Sequence, residues 1–310
     1  MNHQLFEPLS HALLPTVLGV TRQLMLRSGT SEHDCRLAEI PIHVYHRPGA
    51  PGSDPDLPIL LVHGIADNAL TWALVLGGLA RIGPVYAIDL PGFGLSGYPA
   101  GRRYAHIDEH VTVVRTLIEH EIRRPALLVG NSLGGWIGAR MAIETPANAR
   151  GIIMIDPGGA YLAGRPSWEP FIEDVSVPNL RTVRRVMHQM FGVTPLLPAL
   201  YLGQRGFQTL FQRDAVTHFV SAASEDDFFQ PTDLARIPVP CGLIWGRADR
   251  FLPAGSFEFF RDNLPDPSIL SIPGCGHLPQ RERPLQVIKF VRRFAAERVR
   301  RAAPRAKDAL

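Results

Sequence analysis

The stretch Leu127-Leu128-Val129-Gly130-Asn131-Ser132-Leu133-Gly134-Gly135 carries the strongest fold signal in this chain of 310 residues. Its apolar start predicts a buried strand, and residues 136–144 after it predict a helix. A G-x-S-x-G sequence between a strand and a helix is typical of a nucleophile elbow, a sharp turn that exposes a serine hydroxyl at the sheet edge. Glycine is needed at Gly130 and Gly134 because side chains there would collide with neighbouring backbone. These five residues also fit an ordinary glycine-rich turn, so the remaining sequence has to distinguish the two interpretations.

The segments around this turn alternate between apolar runs and helix-like segments. Apolar or alternating runs predict strands at residues 40–46, 59–62, 85–88, 126–130, 152–155, 242–245 and 268–272. Helices are predicted between several of them, over residues 68–81, 106–122, 136–144 and 256–263, and from residue 285 onward. Such alternation predicts an α/β fold with a mostly parallel central sheet and helices on both faces.

The alternation stops after Pro157, which indicates an inserted segment. Residues 158–236 contain helix-like apolar segments and Pro/Gly breaks, without the apolar run of a buried strand. We predict an N-terminal helical arm (1–34), an α/β core (35–157 and 237–301), a helical cap (158–236) and a basic C-terminal tail (302–310). The cap is rich in large apolar side chains: Trp168, Phe171, Met187, Met190, Phe191, Leu196, Leu197, Leu200, Tyr201, Phe207, Phe211, Phe219, Phe228 and Phe229. Many should pack the cap on the core, and some should line an apolar ligand pocket.

The composition is that of a soluble globular protein, with 45% hydrophobic and 20% charged residues. The net charge of +3 is uneven, because residues 289–310 contain eight Lys/Arg and two Asp/Glu. No nucleic-acid-binding module accompanies these charges, so a nucleic-acid partner is not predicted. We interpret them as a solvated helix end and a frayed terminus, with contact to an anionic surface as the alternative.

Three widely spaced cysteines, Cys35, Cys241 and Cys275, form no C-x-x-C pair. This argues against a disulfide framework and a zinc site, and it fits a reducing compartment. A signal peptide begins with positively charged residues, but no Lys or Arg precedes Arg22. The apolar stretch 12–20 is too short to span a bilayer. A cytoplasmic location is therefore predicted. The N-terminal arm is expected to pack on the core, and an arm lying on a membrane is the alternative.

A second glycine-rich stretch, Gly92-Phe93-Gly94-Leu95-Ser96-Gly97, spells G-x-G-x-x-G after a predicted strand. A dinucleotide site would need a helix that opens at these glycines, so that its N-terminus meets the pyrophosphate. Here Pro99 and Gly101 follow, and the next predicted helix begins near His106. We predict a loop and no dinucleotide cofactor.

A nucleophilic Ser132 would need a base to take its proton and an acid to orient that base. In α/β sheets such groups lie at the carboxyl ends of strands. Asp249 follows the strand at 242–245, and His277 follows the strand at 268–272. The order Ser132, Asp249, His277 is the one expected with an elbow nucleophile. Alone, Asp249 also fits a turn residue and His277 a capping or core residue, and Asp156, which ends the strand at 152–155, is the reserve candidate for the acid.

An oxyanion hole needs two hydrogen-bond donors aimed at one point. The backbone N–H of Leu133, directly after the serine at a helix start, is the first candidate. The backbone N–H of Ile65 is the second, and the preceding Gly64 lets the backbone approach a substrate oxygen. His63 is expected to be structural rather than catalytic.

Together these landmarks resemble the α/β-hydrolase superfamily over about residues 40–295, apart from the cap. The matching segments are 63–64, 89–96, 130–135, 245–249 and 274–277. The resemblance implies hydrolysis through an acyl-enzyme, in which Ser132 attacks, His277 shuttles the proton and Asp249 orients His277. It implies no cofactor and no metal. A serine at the elbow favours acyl chemistry, whereas an aspartate would have indicated an epoxide hydrolase or a haloalkane dehalogenase.

Two enzymatic functions remain open, and we favour a carboxylesterase or lipase-like hydrolase for esters with an apolar acyl or alkyl group. The alternative is a carbon–carbon bond hydrolase of aromatic ring-fission products, which Asn131 and residues 245–253 resemble. Against it, residues 65–68 replace the glycine-rich loop of that group, and Leu278 stands where a tryptophan usually follows the histidine. A catalytically silent, ligand-binding member of the fold is a third possibility. The oligomeric state is not predicted.

Overall fold

An eight-stranded sheet forms the centre of the computed structural model, which describes residues 7–162, 180–193 and 214–300. The strands run in the order β1-β2-β4-β3-β5-β6-β7-β8. Their bounds are β1 Ser31–Leu37, β2 Ile40–Arg47, β3 Ile59–Val62, β4 Val85–Ile88, β5 Ala126–Asn131, β6 Ala149–Ile155, β7 Cys241–Gly246 and β8 Ser268–Ile272. β2 pairs antiparallel with β1 and β4, and all other neighbours pair parallel. The predicted mostly parallel sheet is confirmed.

Helices cover both faces of this sheet, which explains the continuous apolar runs in its central strands. In the described parts of the chain, the helices are α1 Glu7–Arg27, α2 Ala73–Leu79, α3 Ile107–Thr116, α4 Leu133–Glu144, α5 Leu180–Met190, α6 Asp214–Ala222, α7 Pro231–Leu234, α8 Ser256–Asn263, α9 Pro279–Glu282 and α10 Pro284–Phe294. Successive strand residues point to opposite faces. In β3, Leu60 and Val62 join one hydrophobic cluster, whereas Ile59 and Leu61 join the other.

The N-terminal arm ends earlier than its sequence suggested. α1 ends at Arg27 and β1 begins at Ser31, so the boundary predicted at residue 34 falls inside an edge strand. β1 has the sequence Ser-Glu-His-Asp-Cys-Arg-Leu, and only Leu37 in it is buried. A strand that is exposed at the sheet edge carries no apolar run, so the hydrophobic pattern gave no sign of it.

Between β6 and β7, the described residues form α5, α6, α7 and short turns, and they add no strand to the sheet. A single bridge joins Ala160 to Phe229. The cap boundaries 158–236 stay a prediction, because residues 163–179 and 194–213 lie outside the described parts. The predicted tail 302–310 also lies outside them, as do eight of the apolar cap residues: Trp168, Phe171, Leu196, Leu197, Leu200, Tyr201, Phe207 and Phe211.

Among the described residues, no helix combines the length and the hydropathy that a membrane crossing requires.

The packing of α2 on α10 gives the first prediction, from two adjacent glycines. A methyl group at Gly78 would lie 2.5 Å from Cδ1 of Ile288, so Gly78→Ala should lower the free energy of unfolding by about 1–3 kcal/mol. A methyl group at Gly77 would meet only the guanidinium of Arg47, at 3.8 Å. Gly77→Ala should therefore be neutral or stabilise by up to about 1 kcal/mol through helix propensity.

Urea unfolding of the two variants measures both effects. Adding Ile288→Ala to Gly78→Ala should remove the collision, so the two changes together should cost less than the sum of their separate costs. Equal stabilities of the two glycine variants would contradict this account of the helix packing.

Candidate active site

Ser132 lies in the turn between β5 and α4, where its backbone φ is +52°. Positive φ values are uncommon for residues other than glycine and store strain that the surrounding structure must hold. A Cβ at Gly134 would lie 2.0 Å from the carbonyl oxygen of Val62, and a Cβ at Gly130 would lie 2.2 Å from the carbonyl oxygen of Gly134. The strand–turn–helix geometry and the steric need for both glycines are therefore as predicted.

His277 and Asp249 form a buried pair beside this turn. Nδ1 of His277 lies 2.7 Å from Oδ2 of Asp249, and their side chains are 2% and 0% exposed. The second oxygen, Oδ1, accepts hydrogen bonds from the backbone N–H groups of Phe251 at 2.7 Å and Leu252 at 3.3 Å. The carboxylate is thus held by three donors, and its bond to Nδ1 leaves Nε2 of His277 for a second partner.

Asn131 joins the elbow to the loop that carries His277. Its side-chain Nδ2 donates to the backbone oxygens of Ile155 at 3.1 Å and His277 at 3.0 Å. Its Oδ1 accepts a hydrogen bond from Nε2 of Gln280 at 3.2 Å. The sequence singles out Asn131 only through the resemblance to carbon–carbon hydrolases, and this positioning role is not predicted from it. The available signal was a polar amide at the end of an otherwise apolar strand.

The two predicted oxyanion donors lie on the cavity that Ser132 faces. Ile65 and Leu133 both line that cavity. A Cβ at Gly64 would lie 3.1 Å from Cβ of Ser132, so the backbone before Ile65 packs directly against the serine. His63 is buried, with Nδ1 2.7 Å from the backbone oxygen of Gly64 and Nε2 accepting from the N–H of Leu90 at 2.9 Å. Both ring nitrogens of His63 contact backbone groups, one in the loop after β3 and one in the loop after β4, so His63 joins the two loops.

The cavity beside Ser132 has a volume of about 280 Å³. Its described lining is mainly apolar and comprises Ile65, Ser132, Leu133, Trp136, Gly158, Phe219, Val220, Ala223, Ser224, Glu225, Phe228, Phe251 and Leu252. Aromatic rings pack around it, with Trp136 and Phe228 centroids 5.0 Å apart and Phe251 and His277 centroids 4.8 Å apart. Phe219 and Phe228, two of the predicted cap residues, therefore face the cavity, as the apolar-pocket prediction requires.

The last residue of α5 and the residues that follow it contact the histidine loop directly. The backbone N–H of His277 donates to the carbonyl oxygen of Met190 at 2.7 Å. Glu282 accepts from the N–H of Gly276 at 2.9 Å and from the N–H of Gly192 at 3.0 Å, one with each carboxylate oxygen. This part of the insertion thus helps to fix the position of His277.

Asp156, the reserve candidate for the acid, is fully buried at the end of β6. Its Oδ1 accepts from the N–H of Gly246 at 3.0 Å. Burial raises the pKa of Asp156 well above its usual range, and the Asp249 carboxylate raises that pKa further. Asp156, Asp249 and His277 are also the one cluster of potential metal ligands in the described parts, with ligand atoms within 4.8 Å of one another. The contact between Asp249 and His277 has hydrogen-bond length, so this pair needs no ion to account for it.

The stretch Gly92 to Gly97 is a loop, as predicted. Oδ1 of Asp89 accepts from the N–H of Ala69 at 2.7 Å, and Oδ2 accepts from the N–H of Leu95 at 2.8 Å. The next helix, α3, begins at Ile107. No helix N-terminus therefore opens at these glycines.

Residues 59–290 match the sequence profile of the alpha/beta hydrolase family. The chain belongs to this family. The matched range contains Ser132, Asp249 and His277, and family membership confirms the resemblance and the fold predicted from the sequence.

Several known proteins are similar to this α/β hydrolase. An uncharacterized protein of Mycobacterium tuberculosis is 28% identical over 273 residues, which cover 82% of this chain and 79% of the relative. The structure of a membrane phospholipase A, a bacterial virulence factor, has a TM-score of 0.76 at 27% identity, covering 95% of this chain and 93% of that one. The 2-hydroxy-6-oxo-6-phenylhexa-2,4-dienoate hydrolase of Rhodococcus sp. strain RHA1 has a TM-score of 0.70 at 23% identity, covering 84% and 98%. The last likeness shows the fold alone.

The buried amide of Asn131 gives the second prediction. Asn131→Asp keeps the size and shape of the side chain. It replaces Nδ2, which donates to the carbonyl oxygens of Ile155 and His277, with an oxygen that can only accept. Because buried polar groups without partners are costly, the free energy of unfolding of the α/β hydrolase should fall by at least about 2 kcal/mol. The same change at partly exposed Asn148, which donates to Glu119 at 2.8 Å, should stay within about 1 kcal/mol. Chemical unfolding compares the two variants, and equal costs would show that the Asn131 bonds do not hold the loops together.

Proposed function

We propose that this α/β hydrolase is a serine hydrolase that cleaves carboxylic esters with an apolar acyl or alkyl group. The observation that carries the proposal is the strained elbow at Ser132, set in the wall of an apolar cavity and next to the loop of a buried His277–Asp249 pair. A nucleophile, a base and an orienting acid are what acyl transfer through a covalent intermediate requires. Their chain order agrees with an elbow nucleophile.

The mechanism would begin with attack of Ser132 Oγ on the ester carbonyl carbon while its proton passes to Nε2 of His277. Asp249 accepts the Nδ1–H bond, holds the ring in the required tautomer and stabilises the imidazolium that forms. The N–H groups of Ile65 and Leu133 would donate to the oxyanion of the tetrahedral intermediate. His277 then gives the proton to the departing alkoxide. In the second half of the reaction, His277 takes a proton from water as the water attacks the acyl carbon, and it returns that proton to Ser132 Oγ as the acid is released.

The lining of the cavity supports an apolar substrate. Trp136, Phe219, Val220, Phe228 and Leu252 offer hydrocarbon surface, whereas Ser224 and Glu225 are the polar groups of the described lining apart from Ser132. Burying an acyl or alkyl chain there contributes roughly 25 cal/mol per Å² of apolar surface removed from water. The structural neighbour at 27% identity is a phospholipase A, an enzyme class that cleaves esters of fatty acids, which supports the same substrate class.

The resemblance at Asn131, one of the two sequence features that favoured a carbon–carbon hydrolase, has a structural explanation. Asn131 is 1% exposed, and its amide is engaged with Ile155, His277 and Gln280. An amide in this position holds loops together and is not offered to a substrate. The likeness at Asn131 therefore carries no information on the bond that is cleaved, and we favour the ester. The cytoplasmic location and the absence of a nucleic-acid partner remain predictions.

The third prediction concerns the proposed catalytic residues. A fluorophosphonate should label folded wild-type protein, because it reacts with an activated serine. Ser132→Ala should abolish labelling, and Ser132→Ala or His277→Ala should each lower kcat for an ester by at least about 10⁴-fold. Ser221→Ala, which changes an exposed serine on α6, is the matched control and should label and turn over as wild type. Mass spectrometry locates the label, and unlabelled wild-type protein would refute the enzymatic proposal.

The fourth prediction concerns chain length. Val220 on α6 lines the cavity, and the larger side chain of Val220→Phe should leave room only for shorter acyl or alkyl chains. With p-nitrophenyl esters of graded length, we expect wild-type kcat/KM to rise with apolar chain length. In the variant, kcat/KM for the longest good substrate should fall by about tenfold more than for the acetate.

Ser221→Phe places the same bulk on the exposed side of α6 and should leave the length profile unchanged. A ring-fission dienoate in the same panel tests the alternative. Faster turnover of that dienoate than of every ester would favour the carbon–carbon hydrolase, and a preference for charged polar esters would refute the apolar substrate.

A further inference from the structure

Asp156 is a buried carboxyl group that the proposed mechanism leaves without a task. Its backbone has φ +40°, and its N–H donates to the carbonyl oxygen of Ile244 at 2.9 Å. Oδ1 accepts from Gly246, but Oδ2 is buried and finds no donor in the described residues. A carboxylate oxygen without a donor in a dry site is costly, whereas the O–H of a carboxylic acid there would need an acceptor.

That acceptor is present in Asp249. Asp156, Asp249 and His277 present ligand atoms within 4.8 Å of one another. Two ionised carboxylates so close together in a buried site repel strongly, so such pairs share one proton. Asp249 accepts hydrogen bonds from three donors, whereas Asp156 accepts from one. The proton therefore belongs on Asp156.

Among the described residues, the N–H of Gly246 is the one donor that favours a charge on Asp156. Besides Asp249, the charged group that acts on it is Glu282 on α9, which is also acidic and also raises the pKa of Asp156. The loop after β8 brings His277 and the thiol of Cys275, and the pKa of that thiol is raised by burial and then by Glu282 and Asp156. All the acidic neighbours disfavour a second negative charge at this position.

We propose that Asp156 is a positioning residue, a neutral carboxylic acid whose O–H donates to Asp249 and thereby fixes the carboxylate that orients His277. The assignment rests on the proposed function for its catalytic consequence. Its protonation state is argued from the buried Oδ2 without a donor and from the proximity of the two carboxyl groups, independently of catalysis. In this arrangement Asp249 receives a fourth hydrogen bond and carries the single negative charge of the pair.

Three variants test the catalytic consequence. Asp156→Ala removes the donor and should lower kcat by about 10- to 100-fold, as expected for loss of one hydrogen bond to a charged group, with little change in KM. Asp156→Asn is neutral, can donate through Nδ2, can accept from Gly246 and tolerates positive φ, so it should restore most of kcat. Asp249→Asn should cost several orders of magnitude. A reversed result, with Asp156→Asn inactive and Asp249→Asn active, would make Asp156 the acid and overturn the proposal.

The pH profile separates this role from simple structural support. If Asp156 is neutral, Asp156→Asn changes no charge near His277, and the acid limb of kcat/KM should stay where it is in wild type. An ionised Asp156 would stabilise the protonated imidazole of His277. Replacing such an Asp156 with Asn would then move the acid limb of kcat/KM to lower pH. Such a move would refute a neutral Asp156.

Two measurements do not depend on catalysis. With isotope-labelled aspartate at neutral pH, the infrared difference between wild type and Asp156→Asn should contain the carbonyl stretch of a protonated carboxyl group. Finding only carboxylate bands would overturn the proposal. If fluorophosphonate failed to label Ser132, the proposed function would fall, while this band would still decide the state of Asp156.

Stability gives the second such measurement. Because its pKa is raised on folding, Asp156 binds its proton more tightly in the folded chain. The contribution of Asp156 to the free energy of unfolding should therefore fall as pH rises from about 4, where the unfolded aspartate ionises, toward the higher pKa of Asp156 in the folded chain. Asp156→Asn removes this loss, so its stability relative to wild type should increase with pH across that window. A relative stability that stays constant or decreases would contradict a protonated Asp156.

Discussion

The contact between Gly134 and the carbonyl oxygen of Val62 is the constraint on which the site depends. There is no room for a side chain at Gly134, because its Cβ would lie 2.0 Å from that oxygen and 2.8 Å from the oxygen of His63. The start of α4 is thereby pressed onto the end of β3. This contact places the loop at Gly64 and Ile65 against Ser132, which is the arrangement that a donor from that loop would need. The positive φ of Ser132 is the local cost of the close approach.

A second contact of the same kind assembles the other half of the site. A Cβ at Gly246 would lie 2.0 Å from the carbonyl oxygen of Gly276, so the end of β7 meets the histidine loop directly. Asp249 follows one of these glycines by three residues, and His277 follows the other by one. Their hydrogen bond of 2.7 Å is therefore a consequence of two backbones touching at the carboxyl edge of the sheet. Asn131 and Gln280 then tie this half to the elbow.

These contacts explain which features the sequence could predict. β3 and β4 have the bounds predicted from their apolar runs, because burial on both faces leaves a continuous hydrophobic signal. β1 was not predicted, because an exposed edge strand leaves no continuous hydrophobic signal in the sequence. Chain order placed Asp249 and His277 at the same edge, but it could not supply the partners of Asn131 or Asp156. A buried polar residue in an apolar strand shows that a partner exists, and only the tertiary structure identifies it.

The number of ionised carboxylates beside His277 bears on the chemistry proposed for Ser132, because His277 is the proposed base. A base must be neutral before the reaction and must become an imidazolium during it. One carboxylate beside His277 stabilises that imidazolium, whereas a second ionised carboxylate in the same buried site would repel the first. Four acidic or basic groups, Asp156, Asp249, His277 and Glu282, lie together in a site from which solvent is largely excluded. A neutral Asp156 allows them to lie together, since it adds a hydrogen bond to Asp249 without adding a second charge.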